Sequence, residues 1–224
     1  MDAPATASAG STPTRRPRGR PQGDGPDLRQ QLLDAALGCY VDRGIAATRL
    51  RDVAAGASVT PALVHYYFAD AAGLREAVIA ERLMPAFEQV RDSLLGLPDA
   101  PLRQVLGGFV DGICDQVRAH PWLPALWIRE VASEGGDLRD LLVTRLAPQI
   151  ATVMAARVAA EQQAGRLNPD LDPRLLMVSL VGLTLFPASG IPIWRQLFAD
   201  DGLGIEHIRH HAHTLLARGL ELPA

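Results

Sequence analysis

Apolar residues recur at three- and four-residue spacing along most of the chain, which is the period of an amphipathic helix rather than a strand. In the first such segment the apolar positions are Leu28, Leu32, Ala35, Ala36 and Cys39. The segment begins near Asp27, a predicted N-cap, and ends at Gly44, a residue type that commonly terminates helices. Because no run alternates β-branched and polar residues, the pattern predicts an all-α protein.

Further helices follow the first one along the whole chain. The spacing predicts them at residues 49–57, 61–67, 71–95, 101–119, 122–133, 138–165, 172–186, 193–199 and 205–219. Predicted N-caps are Thr48, Thr60, Asp70 and Asp137, and Pro61 and Pro173 fall at first-turn positions. The first three helices are short and the later ones are longer and more apolar. We therefore predict a small three-helix domain at 27–75 and a larger helical domain at 76–224.

The first 26 residues differ from the rest in composition. They contain five Pro, four Gly and four Arg but no Leu, Ile, Val or aromatic residue. A segment of this kind has nothing to bury, so we expect residues 1–26 to form a disordered basic arm.

Charge is distributed unevenly between the two ends of the chain. All 22 basic residues are Arg, against 25 acidic residues and a net charge of −3. The first 75 residues carry nine Arg and seven Asp, which gives them a formal charge of +2. The remaining residues therefore have a formal charge of −5. The two cysteines, Cys39 and Cys114, lie inside apolar helical patterns and are expected to be free thiols in a reducing cytoplasm.

Two further features bear on localisation. The N-terminus has no apolar core of a secretory signal. Twenty uncharged residues lie between Arg174 and Arg195, but Pro187, Gly190 and Pro192 interrupt them, which leaves only 175–186 as a continuous apolar helix. A bilayer requires about 20 such residues, so we expect a buried or subunit-interface helix, no membrane span and a cytoplasmic protein.

The most informative segment runs from Thr48 to Leu74. Its second and third helices are joined by a brief turn, which is typical of a helix-turn-helix. Inward positions are Leu50, Val53, Ala54, Ala57, Val59, Val64 and Phe68, and outward positions on the third helix are Thr60, Ala62, Leu63, His65, Tyr66 and Tyr67. Small residues allow close approach to a major groove and tyrosine hydroxyls reach phosphates. Alternatively, the aromatic residues are half-buried and cover a small core, although adjacent tyrosines cannot both point inward.

The same residues resemble the DNA-binding domain of the tetracycline-repressor (TetR) family of bacterial transcriptional regulators. The matching positions are Thr48, Arg51, Asp52, Val53, Ala54, Ala57, Val59, Thr60, Val64, Tyr67, Phe68 and Leu74, preceded by Tyr40–Gly44 and Ile45–Thr48. The resemblance covers about residues 27–75. Beyond them, only the length and the all-helical character agree with the family.

The resemblance implies roles for individual residues. Thr48 would cap the second helix and touch a phosphate, Arg51 would reach a phosphate or base edge, and Tyr66 with Tyr67 would clamp the backbone. Base-facing residues would be Thr60, Ala62, Leu63 and His65. The chain departs from the family pattern at three positions: Ser58 replaces a turn glycine, Ala71 a phosphate-binding lysine, and His65 a tyrosine.

The basic arm has a motif of its own. Arg18-Gly19-Arg20-Pro21 resembles the core of an AT-hook, in which an extended strip places arginines in a narrow minor groove. We therefore expect Arg18 and Arg20 to bind DNA beside the helix-turn-helix. A solubilising leader is the alternative.

The larger domain is expected to supply a partner surface and a ligand pocket. A single helix-turn-helix contacts few base pairs. A homodimer on a palindromic operator is therefore predicted, and its two copies are expected to pack through helices 172–186 and 205–219. Predicted pocket residues for a small hydrophobic effector are Phe109, Cys114, Trp122, Trp127, Met154 and Phe186, with Trp194 as a further apolar candidate and His120, Arg129 and Glu130 as polar ones. Most of these aromatics could equally be ordinary core residues.

Other functions find less support. The last helix holds His207, His210, His211 and His213, but they spread over more than one face, so no metal site and no cofactor are predicted. The chain lacks a G-x-S-x-G elbow, a P-loop and a G-x-G-x-x-G motif, so an enzyme is not expected. The alternatives that stay open are a DNA-binding regulator controlled by a protein partner and a helical enzyme.

Overall fold

The structure, a computed structural model, describes residues 26–96 and 99–221, and these ranges contain helices and no strand. The helices are α1 Pro26–Arg43, α2 Leu50–Gly56, α3 Pro61–Phe68, α4 Ala71–Val78, α5 Met84–Leu95, α6 Leu102–Ala119, α7 Leu123–Trp127, α8 Arg139–Leu141, α9 Ala147–Gln163, α10 Pro173–Ser189, α11 Ile191–Phe198 and α12 Ile205–Gly219. Three π-helical segments lie between them: π1 Ile79–Leu83, π2 Ile128–Ala132 and π3 Leu142–Leu146. The all-α prediction is confirmed.

The predicted helix ends are close to the observed ones, with a few exceptions. Asp27 lies in the first turn of α1 rather than before it, because the helix already begins at Pro26. Helix α10 continues past Phe186 to Ser189 with Pro187 inside it, whereas the prediction ended the helix before the proline. Asp137 is not an N-cap, since α8 begins at Arg139 after Leu138.

The long helix expected at 71–95 is a rod of α4, π1 and α5. The π-helical segment Ile79–Leu83 ends two residues before Pro85, which lies in the first turn of α5. Proline has no N–H to donate to the preceding turn, and a π-helical turn is a common way to absorb such a defect. The rod joins the N-terminal helices to the rest of the protein.

Two clusters of buried apolar side chains hold the fold together. The head cluster contains residues of α1–α4 and π1, together with Leu126, Val131 and Leu138. The body cluster is built from α5, α6, α9, α10 and α12. The half-buried Trp122 and Trp127 pack against both clusters. The head cluster therefore includes side chains from α7 and π2, which lie well beyond the domain boundary expected at residue 75.

No single helix within 26–96 and 99–221 is long and apolar enough to cross a membrane. Two bent pairs of helices pass that test on length and composition, and α10 with α11 is one of them, bent by 68°.

Candidate functional site: a nucleic-acid interface and a ligand cavity

Helix α3 is fixed on the head, the N-terminal unit of α1–α4, by two buried side chains, and most of its other residues are exposed. Val64 and Phe68 are buried in the head cluster, where α3 contacts α2 and α4. Pro61 occupies the first turn, where its missing N–H is not needed. The buried side chains of Val64 and Phe68 thus anchor α3 to the head cluster.

The outward face of α3 carries the residues expected to read DNA. Thr60, Ala62, His65 and Tyr66 are exposed, whereas Leu63 and Tyr67 are half-buried. Tyr66 is 77% exposed, and its ring meets that of Tyr67 edge-on with 5.3 Å between centroids. Exposure of one of the two tyrosines, expected from helical geometry, is confirmed. An aromatic residue so exposed contributes little to the head's own core.

One ring nitrogen of His65 contacts a backbone carbonyl oxygen, and the other has no hydrogen-bond partner among the described residues. Its Nδ1 lies 2.8 Å from the carbonyl oxygen of Ala69. Because a carbonyl only accepts, Nδ1 carries the proton, so in the neutral form of the ring Nε2 is the acceptor. An outward acceptor on α3 is suited to a base amino group, such as those of cytosine or adenine.

The turn between α2 and α3 holds Ser58 in the left-handed region, with φ of 56°. The N–H of Val59 donates to the carbonyl of Ala54 at 2.9 Å and closes the turn. A side chain in this region costs about 1 kcal/mol or more relative to glycine. Ser58, which replaces a turn glycine of the family pattern, is therefore in a strained backbone conformation.

The prediction that Thr48 is the N-cap of α2 is wrong, because the helix begins one residue later than expected. Arg49 occupies the cap position, and its N–H donates to the Asp52 carboxylate at 3.0 Å. The Thr48 hydroxyl instead donates to the carbonyl of Gly44 at 2.7 Å. Thr60 does occupy the cap position of α3, but its side chain makes no capping hydrogen bond.

Two arginines flank the start of α2. Arg49 and Arg51 are both exposed, and within the described part of the chain neither guanidinium has a hydrogen-bond partner. Arg49, Thr48, Ala71 and Ala72 line a depression of about 220 Å³ between this helix start and that of α4. Sequence reasoning missed Arg49, although its position next to Thr48 was a usable signal. Arg18 and Arg20 lie outside the described residues.

A second feature, the body cavity, lies between α5, α6, π2, π3, α9 and α10. Its volume is about 750 Å³ and its wall is mainly apolar. Phe109, Trp127 and Phe186, all predicted for a ligand pocket, belong to this wall, as does Phe87, which was not predicted. The volume is in the range of sites for small organic molecules.

Other predicted pocket residues lie elsewhere. Cys114 and Met154 are fully buried in the body cluster and do not line the cavity. Trp122 packs beside His120, with ring centroids 5.2 Å apart, and also lies outside the cavity wall. Trp194 donates from Nε1 to the carbonyl of Pro187 at 3.0 Å. Helical periodicity shows that these residues are inside, but it does not show which of them face a void.

Arg129 and Glu130 connect the head to the body instead of entering the cavity. The buried Glu130 carboxylate accepts hydrogen bonds from the N–H groups of Ile45 at 3.0 Å and Asp137 at 3.2 Å. Arg129 donates to the carbonyl of Val41 near the end of α1. Both residues lie on π2, whose Ile128, Val131 and Ala132 line the cavity. One short element thus contacts both the cavity and the head.

The face of α10 and α11 carries exposed apolar side chains, as does α12. They are Leu175, Val178, Phe186, Ile193, Leu197, Phe198 and Leu215, which are 43–66% exposed. Exposed apolar side chains concentrated on a few helices commonly mark a protein interface, and two of these residues, Val178 and Phe186, also line the body cavity. These helices include both of those for which dimerisation was predicted.

The histidines of α12 do not converge. His207, His210 and His211 are exposed, and His213 Nε2 lies 2.9 Å from Asp111 Oδ1. In the described ranges no three His, Cys, Asp or Glu side chains gather as a metal site would require.

Comparison with known proteins shows what the N-terminal part of the chain is similar to. Residues 32–78 match the family model described as bacterial regulatory proteins, tetR family. The HTH-type transcriptional regulator BetI of Klebsiella pneumoniae is 29% identical over 108 residues, which are 48% of this chain and 55% of BetI. The chain thus spans about half the length of this curated relative.

Solved structures extend the likeness to the whole fold. The ketosteroid transcriptional regulator KstR2 of Mycobacterium tuberculosis superposes with a TM-score of 0.66 at 20% identity, covering 90% of this chain and 98% of KstR2. A protein from Saccharomonospora viridis in complex with choline superposes with a TM-score of 0.58 at 19% identity, covering 87% and 97%. The match at 32–78 and the helix-turn-helix geometry thus show that the N-terminal helices are similar to the tetR family of bacterial regulatory proteins, and the solved structures show a shared fold for the rest of the chain.

Proposed function

We propose that the protein is a transcriptional repressor that binds a palindromic operator as a homodimer and is released by a small molecule in the body cavity. The observation that carries the proposal is the exposure of α3: its inner residues Val64 and Phe68 are buried while His65 and Tyr66 are exposed. A protruding helix with small residues in front and aromatic hydroxyls behind fits a major groove.

The exposed residues divide into base-reading and backbone-binding groups. On α3, Thr60, Ala62, Leu63 and His65 face the bases and Tyr66 with Tyr67 contacts phosphates. Two arginines, Arg49 and Arg51, bind the DNA backbone beside the groove together with the residues around Thr48. Guanidinium groups pair well with phosphate oxygens. Arg18 and Arg20 enter the adjacent minor groove. His65, through Nε2, contributes base preference that relatives with another residue at this position do not share.

Dimerisation uses the exposed apolar side chains of α10 and α12. Leu175 is 56% and Leu215 43% exposed, and burying such residues against a second copy gains about 25 cal/mol per Å². A closed two-fold dimer presents two α3 helices to one face of DNA. Sedimentation at micromolar concentration should show a dimer, and Leu175→Asp with Leu215→Asp should shift it to monomer.

Segment π2 provides the path from the cavity to the head. Ile128 and Ala132 line the cavity, while Arg129 and Glu130 bond to the loop and helix end of the head. A ligand that displaces π2 therefore shifts the position of α3. A near-complete switch requires about 5.5 kcal/mol of differential affinity between the two head positions.

The ligand class is not transferable from relatives. KstR2 is described as a ketosteroid transcriptional regulator and the Saccharomonospora viridis protein is in complex with choline, so proteins of this fold are associated with chemically different small molecules. A small apolar molecule fits the mainly apolar wall of this cavity. Control by a protein partner is the competing arrangement, and saturable quenching of tryptophan fluorescence by an apolar compound library would count against it, because Trp127 is in the wall.

Selection from a random DNA library with the full-length chain tests the proposed function. We expect an enriched palindrome whose half-site centres are about 34–36 Å apart or a multiple of that distance. Enrichment of no sequence, or of a single unrepeated half-site bound by a monomer, would contradict the proposal.

A further inference from the structure

The body cavity contains four charged side chains in an otherwise largely apolar wall. Three are the arginines Arg91, Arg139 and Arg145, and the fourth is Glu88. Three positive charges against one negative charge give the wall a formal charge of +2, although the chain as a whole has a net charge of −3. The formal charge of the cavity wall is therefore opposite in sign to the net charge of the protein.

The arginines approach the cavity from two sides. Arg91 lies on α5, one turn after Glu88, and Arg145 lies on π3. Arg91 pairs at 2.9 Å with its neighbour Asp92, which is outside the wall, and both side chains are substantially exposed. Arg145 is exposed and makes no hydrogen bond within the described residues. Both guanidinium groups thus retain donors for a ligand.

Arg139 has a different role in the wall. It donates to the carbonyl oxygens of Val131 at 3.3 Å, Ala132 at 3.2 Å and Ser133 at 2.6 Å, which are the last carbonyls of π2 and the residue after it. It therefore adds positive charge to the wall while it stabilises the end of π2. An anion nearby would compete with these carbonyls for the guanidinium.

We propose that the cavity selects an amphipathic anion, namely an apolar body with a carboxylate or a similar anionic headgroup bound by Arg91 and Arg145. The inference rests on the proposed effector role of the cavity. A carboxylate accepts paired hydrogen bonds from guanidinium, while the apolar side chains of the wall contact the apolar body of the ligand. An ammonium headgroup meets three arginines and only Glu88, and an alcohol makes no charge-assisted hydrogen bond.

Calorimetric titration of the full-length chain with three probes of equal tail length tests this proposal. The probes are decanoate, 1-decanol and decyltrimethylammonium, all below their micellar concentrations. We expect decanoate to bind about tenfold or more tightly than the other two, because only its headgroup accepts charge-assisted hydrogen bonds from the arginines.

Variants assign the effect to the named residues. Arg91→Gln with Arg145→Gln should lower decanoate affinity to that of 1-decanol and leave 1-decanol binding unchanged. Glu88→Gln should tighten decanoate binding and weaken decyltrimethylammonium binding. Arg174→Gln is the matched control: its side chain is 84% exposed at the start of α10 and outside the wall, so no probe should respond.

Two outcomes overturn the proposal, and they differ in meaning. Equal affinities for all three probes, or tightest binding of the cation, would refute the selection of an anion but leave the cavity as an effector site. Binding of no probe would refute the anion proposal and also count against the effector role, while DNA selection would still report separately on the helix-turn-helix.

Discussion

The carboxylate of Glu130 accepts a hydrogen bond from the backbone N–H of Ile45, 3.0 Å away and 85 positions earlier in the chain. Glu130 is 4% exposed and lies on the π-helical segment beside the body cavity, whereas Ile45 lies in the loop between α1 and α2. The same carboxylate accepts from Asp137 N–H. Glu130 thus joins the head to the segment that lines the cavity, alongside the hydrogen bond from Arg129 to the Val41 carbonyl.

Glu130→Ala should destabilise the fold. Its removal leaves the N–H groups of Ile45 and Asp137 without their acceptor, at about 1–3 kcal/mol for each donor that water does not reach. Urea unfolding measures the loss, and Glu130→Gln should lose less because one oxygen remains. Glu134→Ala, at an exposed position nearby, is the control. Equal stability of the Glu130→Ala and Glu134→Ala variants would show that the connection contributes nothing.

Ser58→Gly should stabilise the head. Ser58 has φ of 56°, a conformation that glycine adopts without the cost of a side chain, so we expect a gain of about 1 kcal/mol. Ala57, its neighbour, has φ of −89°, and Ala57→Gly should instead lose about 0.5–1 kcal/mol. Thermal melting of both variants checks the opposite signs. A loss in both would show that the turn is not strained.

The pair of Arg29 and Glu81 should make stability depend on pH. The two hydrogen bonds, at 2.6 and 2.7 Å, join α1 to π1, and that bonding lowers the pKa of Glu81 below its ordinary 4.5. A lowered pKa stabilises the fold above pH 4.5, and this contribution is lost as pH falls through the folded-state pKa.

Glu81→Gln should therefore reduce unfolding free energy at neutral pH by only about 0.2–1 kcal/mol, since both side chains are a third exposed. The difference from the unsubstituted protein should shrink as pH falls below 4.5. Denaturant titrations at several pH values, with Glu76→Gln as an exposed control on α4, measure it. A difference that grows toward acid would contradict this assignment.

The two cysteines should be unreactive in the folded protein. Cys39 and Cys114 are buried, and burial raises the pKa of Cys114 to about 11. The thiolate is the reactive form, so little is available near neutral pH. A thiol-specific chromogenic reagent should detect no fast reaction until denaturant is added and then both thiols. Rapid labelling without denaturant would indicate that a cluster opens readily.

The sequence predicted the helices well because helical periodicity and end signals are local. Gly44 does end α1 in a left-handed conformation, and Asp70 does cap α4 by accepting from Gly73 N–H. Predictions that depended on distant partners were less accurate. Asp137 pairs with Arg75 across 62 positions instead of capping a helix, and Thr48 bonds back to Gly44.

In the candidate sites, too, features set by local helical geometry were predicted and features set by distant packing were not. The outer face of α3 followed from helical geometry, since Val64 and Phe68 had to point inward. The cavity wall did not follow, because an apolar residue such as Met154 and one such as Phe87 have similar patterns in the sequence. Only packing of α5 against α6 and α9 decides which of them faces a void. For the same reason, Glu130 was predicted for the pocket rather than for the connection to the head.

The central claim is that the outer face of α3 reads DNA, and a fluorescence-anisotropy titration of the selected operator tests it most directly. His65→Ala with Tyr66→Ala removes two exposed side chains without touching the head cluster, and Thr152→Ala with Val153→Ala removes two exposed side chains of α9. With folding verified by circular dichroism, we expect the α3 variant to lose at least about tenfold in affinity, since each base or phosphate contact contributes about 1–3 kcal/mol. The α9 variant should bind normally. A folded α3 variant that binds the operator as tightly as the unsubstituted protein would contradict the account.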